Sequence, residues 1–322
     1  MLNICLLSIL LKFVLSINME KRFWLKQRSL VIAGLCRDSA AFLPHHMSLF
    51  KDLEKYFQRV SYVFVENDSK DETKNHLSDF SKNRDCKIIS MDGLGWVKQR
   101  TKRLEIARNA YLRFIKNNDS FASSDYLIIA DLDDAISENL SASILLGQIN
   151  LLQDQKSIAG IFPVTNPSYY DLWALRSDEC SSDIYLEIAE KMYFEKRLDD
   201  NILKSTFLGS HQLFNFKVNN IFDVDSAFGG VGVYRMSDVL ANPKEYKGTE
   251  LVEFKDKNGT GLFSIAQVCE HVEFHKGLKL NGQRLVINPK FVSNSKCNHT
   301  PAIRAFVDLY ENFAGKKVFS AN

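Results

Sequence analysis

Between residues 29 and 134, short apolar runs alternate with amphipathic stretches. Runs of four to six apolar residues predict strands, and apolar residues three or four positions apart predict helices. The predicted strands cover 29–34, 62–65, 87–90 and 126–130, and the predicted helices lie at 49–60, 76–80 and 103–115. Such alternation is typical of a mostly parallel sheet with helices on both faces.

After residue 135 the alternation is less regular. Helical spacing recurs at 144–152 and 184–194, and strand-like runs occur at 159–162 and 231–234. No linker rich in Pro, Gly or Ser and no internal repeat divides the chain. We therefore expect one α/β domain over residues 29–322, with a Rossmann-like, mostly parallel central sheet flanked by helices.

The amino terminus has two interpretations, and the sequence leaves both open. Residues 2–17 are mostly apolar but include Lys12, and a basic cluster follows at 21–28. This run is shorter than the ~20 residues that span a bilayer, and no positive charge precedes it as in a cleaved signal peptide. Residues 1–28 are thus either a membrane anchor or an upstream extension of a chain that starts at Met19.

Composition argues against several classes of protein. Lys and Arg total 41 and Asp and Glu total 39, so a nucleic-acid partner, which requires a strong basic excess, is not expected. The six cysteines are scattered and form no C-x-x-C pair, which argues against a zinc ribbon or a redox motif. We expect a globular protein in the cytoplasm or at a membrane surface, or in the secretory lumen if the source is eukaryotic.

Polar loops follow three of the predicted strands, at 36–38, 66–68 and 131–133. Because the carboxyl ends of parallel strands meet at one edge of a sheet, these loops should lie side by side. Asp131 and Asp133 should point to the same side, since Leu132 between them points back to the core. Two carboxylates of this kind suit Mg²⁺ or Mn²⁺ shared with a phosphate.

Segments of the chain also resemble a known family. Residues 65–73 (VENDSKDET) resemble the V-D-D-G-S-x-D-x-T segment of family-2-like nucleotide-sugar glycosyltransferases of the GT-A fold. Residues 103–109 (RLEIARN) resemble their R-x-x-x-A-R-N segment, and Asp131-Leu-Asp133 resembles their metal-binding D-x-D. Segments at 167–176, 227–234 and 269–275 are similar to fungal capsule-associated mannosyltransferases, so the resemblance covers roughly residues 29–290.

The resemblance implies a metal-dependent hexosyltransferase of polysaccharide biosynthesis, with a nucleotide-sugar donor and a glycan or lipid-linked acceptor. Mn²⁺ or Mg²⁺ on Asp131 and Asp133 would bridge the diphosphate and stabilise the charge of the leaving group. Glu66 and Asn67 depart from the family, which has two aspartates there. The implied donor-binding residues are Cys36, Arg37, Glu66, Asn67, Asp68, Arg108 and Asp131.

Family members often use a later histidine as a further metal ligand, and two histidines are candidates here. His271 and His275 are four residues apart, which places them on one face of a helix or strand. A hydrogen-bonded structural histidine is the alternative for either. Glu270 is a candidate general base for an inverting transfer, and Asp225 is its rival. A retaining mechanism would need neither.

An aromatic and glycine-containing set is the candidate platform for the acceptor or the donor sugar. Aromatic faces stack on sugar rings, but an aromatic core under a loop gives the same pattern. The glycines predict a tight turn close to the site and do not form a dinucleotide-binding G-x-G-x-x-G. The predicted platform residues are Tyr170, Asp171, Trp173, Arg176, Gly229 and Gly230.

Two other functions compete with sugar transfer. A haloacid-dehalogenase-type phosphatase also carries its nucleophile in a D-x-D at a strand end, but usually in the first strand, whereas three strands precede the motif here. A relative that binds nucleotide sugars without turnover is the non-catalytic alternative. The presence of both Asp131 and Asp133 argues against that alternative.

Overall fold

A computed structural model describes residues 23–136, 139–165, 171, 173–177, 220–255 and 261–293. In that part of the chain the strands are β1 Ser29–Cys36, β2 Arg59–Glu66, β3 Cys86–Ser90, β4 Tyr126–Asp131, β5 Ile158–Thr165, β6 Phe222–Val224, β7 Val231–Arg235, β8 Thr249–Lys255, β9 Gly261–Gln267 and β10 Arg284–Ser293. The α-helices are α1 Leu43–Glu54, α2 Thr73–Ser81, α3 Arg100–Lys116, α4 Asp119–Ala122, α5 Ala142–Asp154, α6 Met236–Ala241 and α7 Glu270–Lys279.

Eight strands form one sheet in the order β3-β2-β1-β4-β7-β5-β10-β6. The pairs β3–β2, β2–β1, β1–β4 and β5–β10 are parallel, while β7 runs antiparallel between β4 and β5, and β6 runs antiparallel at the edge. β8 and β9 form a separate antiparallel pair. The predicted α/β fold with a mostly parallel, helix-flanked sheet is confirmed.

The central strands are apolar along their length because helices cover both faces of the sheet. In β1, Val31 and Ala33 face a core that contains Tyr111 and Leu112 of α3. The alternate residues Leu30 and Ile32 face a second core, to which α1 and α5 contribute. Two hydrophobic cores therefore sandwich the sheet and fix the position of its carboxyl edge.

The strand registers bring the three predicted polar loops together. Cys36 at the end of β1 pairs with Glu66 at the end of β2, and Leu35 pairs with Asp131 at the end of β4. Leu132 is buried, as predicted. Leu132 packs closely against Gly34 of β1. A Cβ added to Gly34 would lie 2.9 Å from the Leu132 side chain and 3.0 Å from the Ala130 carbonyl oxygen.

Some predicted elements differ from the structure. The helix predicted at 49–60 is α1, which starts at Leu43 next to Pro44, a residue favoured in the first turn of a helix. Val60 belongs to β2 instead. The strands β6, β8, β9 and β10 were not predicted, and the predicted helix at 184–194 lies outside the described residues.

The amino-terminal segment is described only from residue 23. Leu25 is buried in the second core, and Arg28 forms an ion pair with Asp125 at 3.0 Å. Within the described residues, none of the helices has the length and hydropathy of a membrane span. The predicted apolar run at 2–17 lies outside those residues.

Candidate active site at the carboxyl edge of the sheet

A pocket of about 260 Å³ lies where β1, β2 and β4 end, against the first turns of α3. Part of its wall consists of Leu35, Cys36 and Ser39 from the end of β1 and the loop after it, and of Leu104 and Ala107 from α3. Its charged and amide side chains belong to Arg37, Asn67, Arg100, Arg103, Asp131 and Asp133. The pocket therefore joins two carboxylates to three guanidinium groups.

Asp131 and Asp133 enter this pocket from the end of β4. The Asp131 amide donates to the Gly230 carbonyl at 2.9 Å, and the Asp133 carboxylate accepts from the Ala135 amide at 3.0 Å. Although Asp133 reaches solvent, poor hydration of the cleft and then the charge of Asp131 raise its pKa to about 6. Two carboxylates that repel each other in one cleft gain from a cation between them.

Arg108 of α3 connects Asp131 to the start of α7. Its Nη2 donates to Asp131 Oδ1 at 2.8 Å, and its Nε donates to Glu270 Oε1 at 2.8 Å. The guanidinium is 2 % exposed and lies 4.9 Å from the ring centroid of Phe228. Burial alone would lower the pKa of Arg108, but Asp131, Tyr111 and Glu270 hold it well above its ordinary value. Arg108 thus stays charged and fixes both carboxylates.

The two histidines of α7 differ in their contacts. His275 Nδ1 lies 2.8 Å from Ser226 Oγ and its Nε2 lies 3.0 Å from Tyr234 Oη, so hydroxyl groups engage both ring nitrogens. Burial, and then Arg108, lower the pKa of His275 to about 3. This is the structural role that the sequence left open for a histidine.

His271 is the histidine whose nitrogens have no hydrogen-bond partner among the described residues. Its ring stacks on Phe228 with centroids 3.9 Å apart, and its Nε2 lies 3.7 Å from Glu270 Oε1. Burial, and then Arg108, hold its pKa well below the ordinary value, so the ring is neutral and able to act as a ligand. Neither histidine lines the pocket of Asp131 and Asp133, so metal binding by His271 stays a prediction.

The predicted donor-binding residues of the first two loops divide into two groups. Cys36, Arg37 and Asn67 line the pocket. Glu66 is buried beside it, accepting hydrogen bonds from the Ser69 amide at 2.8 Å and the Ser90 hydroxyl at 3.2 Å. The placement of Glu66 gives it a role in shaping the loop, and its predicted contact with the nucleoside stays a prediction.

Asp68 likewise binds backbone. It has φ of 53°, and its carboxylate accepts from the amides of Gly93 and Gly95, the latter at 2.6 Å. The Gly93 hydrogen bond, followed by the Gly95 bond, lowers the pKa of Asp68. It therefore fixes the loop between β3 and α3, which leads into the first turn of α3.

The predicted sugar platform is described only in part, because Tyr170 lies outside the described residues. Asp171 accepts a hydrogen bond from the Gly229 amide at 3.0 Å, and burial raises its pKa to about 6. Trp173 is half-buried against the core, and Arg176 donates to the carbonyls of Trp173 and Leu175 at 2.9 and 2.7 Å. This segment is thus tied to the turn formed by the two glycines.

Gly229 and Gly230 form the predicted tight turn. Their φ angles are 68° and 87°, in the region that favours glycine. A Cβ on Gly230 would lie 2.9 Å from the Ala135 carbonyl oxygen, next to the loop that carries Asp133. The glycine turn therefore packs directly against the candidate metal site.

The two predicted general bases occupy different surroundings. Glu270 is buried in the network of Arg108, whereas Asp225 forms a partly exposed ion pair with Lys279 of α7. Of these two, only Glu270 is connected through Arg108 to Asp131 of the pocket.

Sequence reasoning missed Arg100 and named Arg103 only as part of the R-x-x-x-A-R-N segment, without assigning it to the site. Both line the pocket, and Arg103 donates to the carbonyls of Val97 and Lys98 at 2.6 and 3.1 Å. Their position in the first turn of a helix could have identified them. Cations there interact unfavourably with the helix dipole, so their presence suggests a role in binding an anion.

The donor set fits a divalent cation that is shared with a substrate. The described residues contain no group of three or more His, Cys, Asp or Glu that could hold a metal ion. Mg²⁺ and its relatives are commonly bound by one or two carboxylates and completed by phosphate oxygens and water. Asp131 and Asp133 provide such a pair in an accessible pocket.

Comparison with known proteins gives structural similarity only. No protein-family model and no curated protein matches the chain. Solved glycosyltransferases are similar to it in fold. The mannosyltransferase PcManGT from Pyrobaculum calidifontis, solved with GDP-Man and Mn²⁺, is 10% identical, with 99% of this chain and 76% of that chain covered and a TM-score of 0.47.

Two further structures have comparable similarity. Glucosyl-3-phosphoglycerate synthase from Mycobacterium tuberculosis, solved with Mn²⁺, UDP and glucosyl-3-phosphoglycerate, is 10% identical over 89% of this chain and 78% of its own, with a TM-score of 0.44. S. aureus TarS with UDP-GlcNAc is 12% identical over 91% of this chain and 68% of that chain, with a TM-score of 0.44. With identities this low, the chemistry of the site rests on the residues of this chain.

Proposed function

We propose that this chain is a metal-dependent glycosyltransferase that transfers a sugar from a nucleotide-sugar donor. The observation that supports it is the pocket at the carboxyl edge of the sheet, where Asp131 and Asp133 face a space that Arg37, Arg100 and Arg103 also line. Carboxylates suit a divalent cation, and guanidinium groups suit phosphoryl oxygens. A nucleoside diphosphate with a bound cation carries both kinds of partner.

Each residue has a separate task in this proposal. Asp131 and Asp133 would hold Mn²⁺ or Mg²⁺, which when bound stabilises negative charge on the departing diphosphate. Arg108 keeps Asp131 in place through the 2.8 Å hydrogen bond and stays charged in doing so. Cys36 ends β1 and Asn67 follows β2, and both line the same pocket, where they would contact the rest of the donor.

The acceptor side is assigned to α7 and the glycine turn. Glu270 is the proposed base for an inverting transfer, because Arg108 connects it to Asp131 while Asp225 is paired with Lys279. Asp171, held by the Gly229 amide, would bind sugar hydroxyls. A hexose as the donor sugar, a glycan or lipid-linked acceptor and membrane association are the finer parts of the proposal, supported by the sequence resemblance and by the basic cluster at 21–28.

A donor screen followed by a turnover assay tests the proposal. Purified protein with Mn²⁺ should be stabilised thermally by one nucleotide sugar in a panel, and it should slowly release nucleoside diphosphate from that donor. Asp133→Asn should abolish the release while the protein stays folded. Asp134→Asn is the matched control, because Asp134 is the adjacent exposed carboxylate and does not line the pocket. Unchanged release by Asp133→Asn would contradict the proposal.

Two other results would favour the competing functions. Phosphate release from simple esters, inhibited by aluminium or beryllium fluoride, would identify a phosphatase with Asp131 as its nucleophile. Donor binding without turnover over several acceptors would identify a binding protein.

A further inference from the structure

Three arginines converge on one side of the pocket; we call Arg37, Arg100 and Arg103 the arginine cluster. Arg37 follows β1, and the other two lie one turn apart on α3. All three line the same pocket, so their positive charges repel one another. Burial, and then the charges of Arg37 and Arg100, lower the pKa of Arg103. Like charges held together in this way are relieved by an anion.

The positive charges in the first turn of α3 destabilise the helix. Arg100, Lys102 and Arg103 lie at the positive end of the helix dipole, and the turn contains no acidic residue. Lys102 is neutralised by Glu105 in the next turn. Neither Arg100 nor Arg103 forms an ion pair with a carboxylate of the described residues, so their charges stay available to a ligand.

The loop before α3 orients part of the cluster. Arg103 Nη1 donates to the carbonyls of Val97 and Lys98, and no partner for Nε or Nη2 occurs in the part of the chain that the structure describes. That loop is itself fixed by Asp68, which accepts the amides of Gly93 and Gly95. A guanidinium held in this way loses little side-chain freedom when it binds an anion.

We propose that the arginine cluster is a phosphoryl subsite that binds phosphate oxygens directly, without a metal ion. Planar guanidinium groups match phosphate geometry and form charge-assisted hydrogen bonds with it. Arg37 also lies 3.6 Å from Asp38, and Asp131 is paired with Arg108. Among the described residues, Arg100 and Arg103 are therefore the cations of the pocket wall that are not ion-paired and can attract an anion when no metal is bound. The inference rests on the proposed function in placing the subsite within the donor pocket.

The phosphoryl group has two chemical sources that the experiment separates. One is the diphosphate of the donor, whose negative charge increases as the sugar bond breaks. The other is a phosphate on the acceptor, which would lie beside the donor in the same pocket.

The test measures binding of inorganic pyrophosphate by isothermal titration calorimetry in EDTA. The wild-type protein should bind it, and the variant with both Arg100→Gln and Arg103→Gln should bind at least about tenfold more weakly. Arg113→Gln is the matched control, because Arg113 is an exposed arginine on the same helix and lies about 20 Å from Arg100 along its axis. Absence of wild-type binding, or equal binding by the double variant, would overturn the inference.

A second titration adds inorganic phosphate to protein saturated with UDP or GDP and Mn²⁺. If the nucleotide prevents phosphate binding, the subsite serves the donor; if phosphate still binds and needs Arg100 and Arg103, it serves an acceptor. Asp133→Asn should still bind pyrophosphate in EDTA. The subsite and the proposed function can therefore be contradicted independently of each other. Unchanged turnover by Asp133→Asn contradicts only the function, and unchanged pyrophosphate binding by the arginine variant contradicts only the subsite.

Discussion

At the scale of single residues, Arg108 has the largest influence on the candidate site. It comes from the middle of α3, yet it bonds to a carboxylate at the end of β4 and to another at the start of α7. A buried charge of this kind is tolerated only because both partners are present. The same contacts that stabilise the fold therefore also orient Asp131 in the pocket.

Replacement of Arg108 by methionine should lower the free energy of unfolding by about 3–5 kcal/mol, because it leaves Asp131 and Glu270 without their counter-ion. Equilibrium urea unfolding of wild type and variant measures the difference. Arg113→Met on the same helix removes an exposed ion pair with Glu245, and it should change stability by less than about 1 kcal/mol. If the two substitutions lowered the free energy of unfolding equally, burial would not make the Arg108 ion pairs more important than the exposed Arg113 pair.

The sequence predicts some site residues better than others, for a physical reason. Asp131 and Asp133 could be found because they follow an apolar run and the strand end fixes where they lie. Glu66 and Asp68 carry the same signal, but both bind loop amides instead of facing the pocket. Which way a loop carboxylate turns depends on the amides around it, and spacing along the chain does not contain that information.

At the scale of secondary structure, elements were predicted well where burial and periodicity agree. The strands β1 and β4 are apolar at successive positions because both faces of the sheet are covered. The β8–β9 pair was missed because its apolar residues do not mark a core. Leu251, Phe263 and Ile265 share its exposed face at 69%, 65% and 59% exposure.

Helix packing depends on small residues that periodicity does not identify. Gly277 in α7 lies against Asn242, and a Cβ there would be 1.9 Å from Asn242 Oδ1 and 2.8 Å from Lys244 Cβ. Asn242 cannot easily move, because its side chain donates to the Phe274 carbonyl and accepts from the Lys244 amide, both at 2.9 Å. This contact holds α7, and with it Glu270 and His271, in position.

The substitution Gly277→Ala should therefore destabilise the protein by about 1–3 kcal/mol through overpacking. Gly147→Ala in α5 is the matched control, since a Cβ there meets nothing within 4 Å. Alanine at that position should stabilise the protein by up to about 1 kcal/mol, because it restricts the unfolded chain. Thermal unfolding of both variants measures the contrast, and a stabilised Gly277→Ala would contradict the packing described for α7.

At the scale of the whole molecule, the sheet brings together groups that are distant in sequence. Arg37 follows the first strand, Asp131 ends the fourth strand, and Glu270 begins the last helix described. The shared edge places them around one pocket and its Arg108 network. The alternation of strands and helices predicted that edge. The contact between Arg108 and Glu270, 162 residues apart, could not be predicted, because nothing in a single sequence relates two such positions.

The proposed metal site and the proposed phosphoryl subsite together lead to a prediction about the stability of the whole chain. A nucleoside diphosphate that binds only the folded protein raises the free energy of unfolding by about 2.7 kcal/mol at a concentration of 100 times its dissociation constant. With the diphosphate that binds best and Mn²⁺, thermal unfolding should therefore shift upward, and EDTA should reduce the shift without removing it, because the arginine cluster still binds phosphate oxygens. Asp133→Asn should lose the part that depends on Mn²⁺, and the Arg100→Gln, Arg103→Gln variant should lose the part that remains in EDTA. If EDTA removed the entire shift from the wild type, the cation alone would hold the diphosphate, since a direct guanidinium contact needs no metal.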